Sequence, residues 1–121
     1  MKPLSQTLIM YNLDLDLQQI IRDRLHVSVS DIEAYCQRWQ ITEFALFGSV
    51  LRDDFRPDSD VDVLITFAPN LQWSLFDLME MQRELETAFE RKVDLVQKKE
   101  LKNPYRRANI LKTHRVVYAN Q

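Results

Sequence analysis

The run Phe44-Ala45-Leu46-Phe47-Gly48-Ser49, then ten residues, then Asp60-Val61-Asp62-Val63-Leu64-Ile65-Thr66-Phe67, decides how this chain is read. Four apolar residues halted by a glycine read as a buried strand. Gly48 is the single glycine of the chain, and it falls where that strand ends. Arg56-Pro57-Asp58-Ser59 has the composition of a turn. From Asp60 to Phe67 the pattern alternates: Val61, Val63, Ile65 and Phe67 share one face, and Asp60, Asp62, Leu64 and Thr66 the other. That period of two predicts a second strand with one wholly apolar face.

Working outward, Ser30-Asp31-Ile32-Glu33 has the form of a capping box, with Ser30 capping and Glu33 reaching back. Ile32, Tyr35, Cys36 and Trp39 then recur at helical spacing, which predicts an amphipathic helix over 31–39. Leu17 to Leu25 is a shorter helix, and residues 1–16, with Pro3 and a Leu/Asp alternation, read as a loosely structured arm. Downstream, Ser74 is placed to cap a helix with Asp77 at its third position, Trp73 and Leu78 forming a hydrophobic staple. Leu75, Leu78, Met79, Leu85, Ala88 and Phe89 make its expected buried stripe, and Met79 and Met81 read as packing. Val93 to Val96 is a third strand with one charged member, Asp94. Pro104 suits the first turn of a helix running to about Lys112, and Val116 to Tyr118 is a last short strand. Strands alternating with helices predict a small α/β (α+β) domain on a central sheet.

Aspartate is depleted in strands, so two in one strand need a reason. Aspartates at i and i+2 project from the same face with α-carbons about 7 Å apart. Carboxylates on such a base can share two Mg²⁺ ions ~3.5–4 Å apart, the geometry that clamps an in-line phosphoryl transfer. Hard oxygen ligands suit Mg²⁺, which leaves its other positions to phosphates and water. The blander reading puts Asp60 and Asp62 on the wet face of a half-buried strand. Gly48 permits close approach of the backbone to a phosphate chain, and Ser49 could add a hydroxyl and open a short helix. Arg52, one helical turn on, either contacts the same phosphates or pairs at the surface with Asp53 or Asp54. Asp94 would be costly if buried unpaired. Beside the Asp60–Asp62 strand it completes a three-carboxylate site whose mutual repulsion calls for a cation; otherwise it sits on an exposed edge. The residues alone carry the reading as far as metal-dependent phosphoryl or nucleotidyl transfer.

Composition bounds the rest. The 121 residues fit one domain, with 45% apolar and 28% charged residues. Cys36 is the only cysteine, so no intramolecular disulfide forms, and a reducing, cytoplasmic setting is expected. No apolar stretch approaches the ~20 residues of a membrane span, and none resembles a signal peptide. The net charge of −2 is unevenly spread: residues 1–90 carry −9 and residues 91–121 carry +7. That basic end either meets phosphates or an acidic partner surface, or is simply a solvated helix. His26 and His114 stand alone and receive no role, while Cys36 and Trp39 read as core.

Gly48-Ser49-x10-Asp60-x-Asp62, followed by a distant aspartate on a strand, resembles the nucleotidyltransferase superfamily that includes DNA polymerase β. The short chain looks like the minimal nucleotidyltransferase (MNT) branch, and within it is similar to the MNT antitoxins that pair with HEPN toxins. Lys102-Asn103-Pro104-Tyr105-Arg106-Arg107 through Val116-Val117-Tyr118 resembles the end of those antitoxins, so the likeness runs from about Ile32 to Tyr118. It implies a nucleotidyltransferase domain over 26–121, preceded by an N-terminal arm and short helix over 1–25, and a mixed sheet flanked by helices. It implies roles as well. Gly48 and Ser49 would hold the outer phosphates of ATP, Asp60 and Asp62 would ligate two Mg²⁺ ions, and Asp94 would bind the catalytic metal and help activate the acceptor. In the HEPN–MNT pairs the picture is AMP transfer to a tyrosine of the toxin, an RNase, which silences it. Here Arg52 is followed by Asp53, where many members carry glycine.

The rival function is a binding antitoxin that neutralises its partner by occlusion, its site merely holding nucleotide. Modest net charge without interleaved aromatics argues against extended nucleic-acid binding. A small-molecule enzyme would need more chain to enclose its substrate. The acceptor is therefore expected on a partner protein, which the resemblance implies is a HEPN-type toxin in a hetero-oligomer. Arg106 and Arg107, with Lys98, Lys99 and Lys102, are the expected docking or nucleotide-contacting surface.

Overall fold

The computed structural model describes residues 13–120, so the arm expected over residues 1–12 lies outside them. Helix α1 (Leu15–Leu25) begins before the predicted Leu17 because Asp14 caps it, its carboxylate accepting from the Leu17 amide at 2.8 Å. Leu17, Ile20, Ile21 and Leu25 of α1 are buried in the principal core. Helix α2 (Val29–Arg38) is capped by Ser28 with Asp31 reaching back, not by Ser30 with Glu33. The observed cap lies two residues earlier and adds Val29 to the helix, where it packs against the core.

Four strands form one mixed sheet in the order β3-β2-β1-β4: β1 (Ile41–Phe47), β2 (Val61–Phe67), β3 (Val93–Gln97) and β4 (Arg115–Ala119). β1 runs antiparallel to β2 and β4, whereas β2 and β3 are parallel. Parallel neighbours require a crossover, and α3 (Leu75–Phe89) provides it. Asp60 falls just outside β2, where the alternation had placed it within the strand.

Both faces of the sheet are covered. Phe44, Leu46, Val61, Val63 and Ile65 enter the principal core with residues of α1, α2 and α3. Ala45, Phe47 and Leu64 form a second, smaller core with Leu101 and with Ile110 of α4 (Pro104–Thr113). Tyr35 and Phe44 meet edge to face in the principal core, and the Tyr35 hydroxyl donates to the Met81 carbonyl at 3.1 Å.

The Ser74–Asp77 reciprocal cap of α3 forms as expected, and Trp73 and Leu78 both pack against the principal core. The predicted stripe needs correction. Met81, Leu85 and Phe89 are the buried residues, while Leu75 and Met79 stand 71% and 59% exposed, beside Phe76 at 81%. Ala88 is exposed too. At about 100° per residue, Leu75 and Met79 lie roughly 80° and 120° around the helix from Leu85, so the face that meets the sheet excludes them. Among the described residues no helix is long and apolar enough to cross a membrane.

Candidate functional site

The register sets Phe47 opposite Asp62, and Asp62 opposite Asp94 on the parallel neighbour. Paired residues share a face, so these two carboxylates rise from adjacent strands about 4.8 Å apart, on the side of the sheet that α4 covers. Asp94 is exposed on the edge strand and borders Asp62 across the parallel ladder. Asp60, preceding β2, is exposed and stands outside the ladder.

Gly48 opens a 3₁₀ turn, Gly48–Leu51, with φ at +76°. A β-carbon there would sit 2.2 Å from Asp62 Oδ2, so only glycine allows the backbone to lie against this carboxylate. The turn is pinned by Val50, which is fully buried, and by the Arg52 amide donating to the Ser49 carbonyl at 2.9 Å. Ser49 follows in the same turn and is half-buried.

Burial first, then the negative charges of Asp94 and Asp60, hold the Asp62 carboxyl above its ordinary value; Arg106 and Arg52 partly offset them. Asp94 and Asp60 thus both act electrostatically on Asp62. Among the described residues, however, no three His, Cys, Asp or Glu side chains already converge to enclose an ion. Mg²⁺ keeps few protein carboxylates and fills its shell from phosphate and water, so an open row of hard oxygens with mutual repulsion to relieve is a fitting donor set.

The expected basic surface divides. Arg106 carries the charge that acts on Asp62, whereas the Arg107 guanidinium donates to the Lys98 carbonyl at 3.0 Å and closes the chain before α4. Lys98 itself pairs with Glu43 at 3.1 Å. Arg52 takes the surface pairing foreseen for it, its Nε meeting Asp54 at 3.0 Å, and its positive charge also acts on Asp62. Burial pushes the Cys36 thiol well up, which leaves it a packing residue and no nucleophile. A cleft of about 570 Å³ between α2 and α3, lined by Ile32, Tyr35 and Leu85 among others, lies on the opposite side of the sheet and contains none of the site residues.

Three residues that sequence reasoning does not single out hold the approach to Asp60. Arg24 Nη1 donates to the carbonyls of Val50 at 2.8 Å and Arg52 at 2.6 Å. Arg91 Nη1 donates to those of Arg56 and Ser59, each at 3.0 Å. Both guanidinium groups lie over the Phe55 ring, at 5.4 and 4.3 Å from its centre. No sequence signal marks them, because each contact joins residues far apart in the chain.

Residues 32–117 match the family model of the nucleotidyltransferase domain. The chain belongs to that family. As a nucleotidyltransferase it is 34% identical over 73 residues to a candidate protein adenylyltransferase of Methanocaldococcus jannaschii, a match covering 60% of this chain and 73% of the relative. It also superposes on a structure of a candidate minimal nucleotidyltransferase, with a TM-score of 0.62 and 28% identity over 86% of this chain and 96% of the other. The fold is shared with a structure of a tri-AMPylated HEPN toxin of Shewanella oneidensis in complex with MNT antitoxin (TM-score 0.56, 19% identity, 77% of this chain and 71% of that one). α1 lies before the matched residues of the nucleotidyltransferase domain.

Proposed function

We propose that this chain is a Mg²⁺-dependent protein adenylyltransferase and antitoxin, moving AMP from ATP to a tyrosine hydroxyl of a HEPN-type RNase toxin. The observation that carries the chemistry is the pairing of Asp62 with Asp94 against the Gly48 turn, with Asp60 acting on the same carboxylate. AMP as the transferred group, and a HEPN protein as acceptor, draw support from the relatives named above.

Asp60, Asp62 and Asp94 would hold two Mg²⁺ ions, which when bound neutralise the triphosphate and stabilise the attacking and leaving oxygens of an in-line displacement. Gly48 admits the phosphate chain close to the backbone, and the Ser49 hydroxyl donates to its outer phosphates. Arg106 and Arg52 supply positive charge beside Asp62, where negative charge develops. Asp94, exposed on the outer strand, is the carboxylate that an incoming hydroxyl meets, and it helps withdraw that hydroxyl's proton. The tyrosine oxygen bonds to the α-phosphorus, the bond to the bridging oxygen breaks, and pyrophosphate leaves. The acceptor comes from the partner, so the working unit is a hetero-oligomer with the toxin.

The test is incubation with Mg²⁺, ATP labelled at the α-phosphate, and a co-expressed HEPN protein. Label is expected on the partner and is expected to fall ~10²-fold or more with Asp62→Asn. A double variant, Asp60→Asn with Asp62→Asn, that still silences the toxin fully would replace catalysis with occlusion.

A further inference from the structure

Asp60 lies outside the strand ladder, in a stretch where Asp53, Asp54, Asp58 and Asp60 leave little apolar surface to bury. A polar surface segment of this kind, left to itself, opens readily. Yet the residues on both sides of Asp60 are tied down. The Ser59 carbonyl accepts from Arg91 Nη1 at 3.0 Å, and the Val61 amide donates to the Lys92 carbonyl at 2.9 Å. Residues 91 and 92 lead directly into β3, which carries Asp94 opposite Asp62. One short segment, Arg91 to Asp94, therefore holds both neighbours of Asp60 and carries Asp94 opposite Asp62.

The other end of the stretch is held from α1. Arg24 reaches the Val50 and Arg52 carbonyls, the exit of the Gly48 turn. Between the two anchors stands Phe55, half-buried and packed against the core, with both guanidinium groups over its ring. Arg91 Nε is buried without an acceptor, so stacking on the ring and the Nη1 bonds are what retain this side chain. Arg24 belongs to a helix outside the residues that match the nucleotidyltransferase domain.

We propose that Arg24, Phe55 and Arg91 form a positioning clamp that sets where Asp60 stands relative to the Gly48 turn and Asp62. The proposal rests on the nucleotidyl-transfer reading of the carboxylates. None of the three touches substrate; each acts through the loop. Removing one arm loosens the loop, misplaces Asp60 and slows the chemical step while leaving the sheet intact, since a misplacement of about 1 Å costs on the order of 10²-fold in rate.

The experiment compares the full chain with Arg24→Gln, Phe55→Ala and Arg91→Gln, and with Phe55→Tyr as the ring-retaining control. Amide hydrogen exchange over residues 50–60 is expected to quicken about tenfold or more in the first three while strand protection is unchanged. Transfer of α-labelled AMP to the HEPN partner is expected to lose roughly 10–100-fold in kcat with little change in KM for ATP. Phe55→Tyr is expected to stay near the parent in both. Unchanged exchange over 50–60 in a folded variant overturns the clamp, and so does a loosened loop with parental kcat. If the parent protein itself transfers nothing, the adenylyl-transfer reading fails separately. Mn²⁺ binding, measured by electron paramagnetic resonance, then decides the clamp: weaker binding in Arg24→Gln sustains it and equal binding overturns it. Should Arg91→Gln fail to fold, Arg24→Gln and Phe55→Ala carry the same comparison.

Discussion

On the side of the sheet facing α1, α2 and α3, Val61, Val63 and Ile65 of β2 are at most 1% exposed, whereas on the other side Asp62 shares its face with the buried Leu64 and stays partly open. The same strand thus supplies a filled interior to one layer and a crowded set of charges to the other. The first side is governed by volume: removing atoms leaves a cavity, and many neighbours feel it. The second is governed by electrostatics, and the native protein holds Asp62 in a setting that disfavours its charged form. If the two sides are as separable as they look, changes on one should be read in stability and changes on the other in chemistry.

Phe89→Ala on the packed side carries the largest expected stability effect. Phe89 is 1% exposed, and the substitution should lower unfolding free energy by ~3–5 kcal/mol, read by denaturant titration. The transfer rate per folded molecule should hold; a parallel loss of rate would show that the two sides are coupled.

Gly48→Ala lies at the junction and should disturb both properties. A left-handed backbone and a β-carbon 2.2 Å from Asp62 Oδ2 predict a stability cost of about 1–3 kcal/mol together with slower transfer. Parental stability and rate in this variant would mean that the turn can move off the carboxylate without consequence.

Asp62→Asn separates the sides most sharply. Because the folded-state value of Asp62 is raised above the ordinary 3.8, the native protein binds the extra proton between the two values, and stability from this group falls as pH rises through that window. Above it the cost persists. The Asn variant is therefore expected to melt slightly higher than the parent at pH 7 despite losing activity, with the advantage shrinking as pH falls toward 3.8. A lower melting temperature at pH 7 would assign Asp62 a stabilising structural role. Phe76→Ser has the smallest expected effect, within about 0.5 kcal/mol, because the side chain is 81% exposed. A larger loss in thermal unfolding would place Phe76 in a contact that its exposure does not reveal.

Much of the architecture was legible because local signals and burial agreed. The Ser74–Asp77 box, the strand ending at Gly48 and Pro104 in the first turn of α4 all stand where pattern places them. Errors arose where two local solutions compete. Ser30 heads the box that local pattern favours, while Ser28 caps the helix in the fold, where Val29 joins it and packs against the core. Leu75 and Met79 are as apolar as Met81, and the angle at which α3 meets the sheet selects Met81. At the candidate site, Gly48, Asp60, Asp62 and Asp94 were recognisable as residue types at a telling spacing. The parting of Arg106 from Arg107, and the grip of Arg24 and Arg91, were not legible, since those contacts depend on where distant carbonyls come to rest.

The sequence alone determined the family, through the likeness of the Gly48-Ser49 and Asp60-Val61-Asp62 motif, and most of the alternation of strands and helices, because motif spacing, periodicity and caps are local properties. Only the tertiary structure decided that Asp94 stands opposite Asp62, that Asp60 falls outside the ladder, and that a helix beyond the family's matched residues reaches the Gly48 turn. Those are matters of strand register and three-dimensional closure, which arise when segments tens of residues apart pack together.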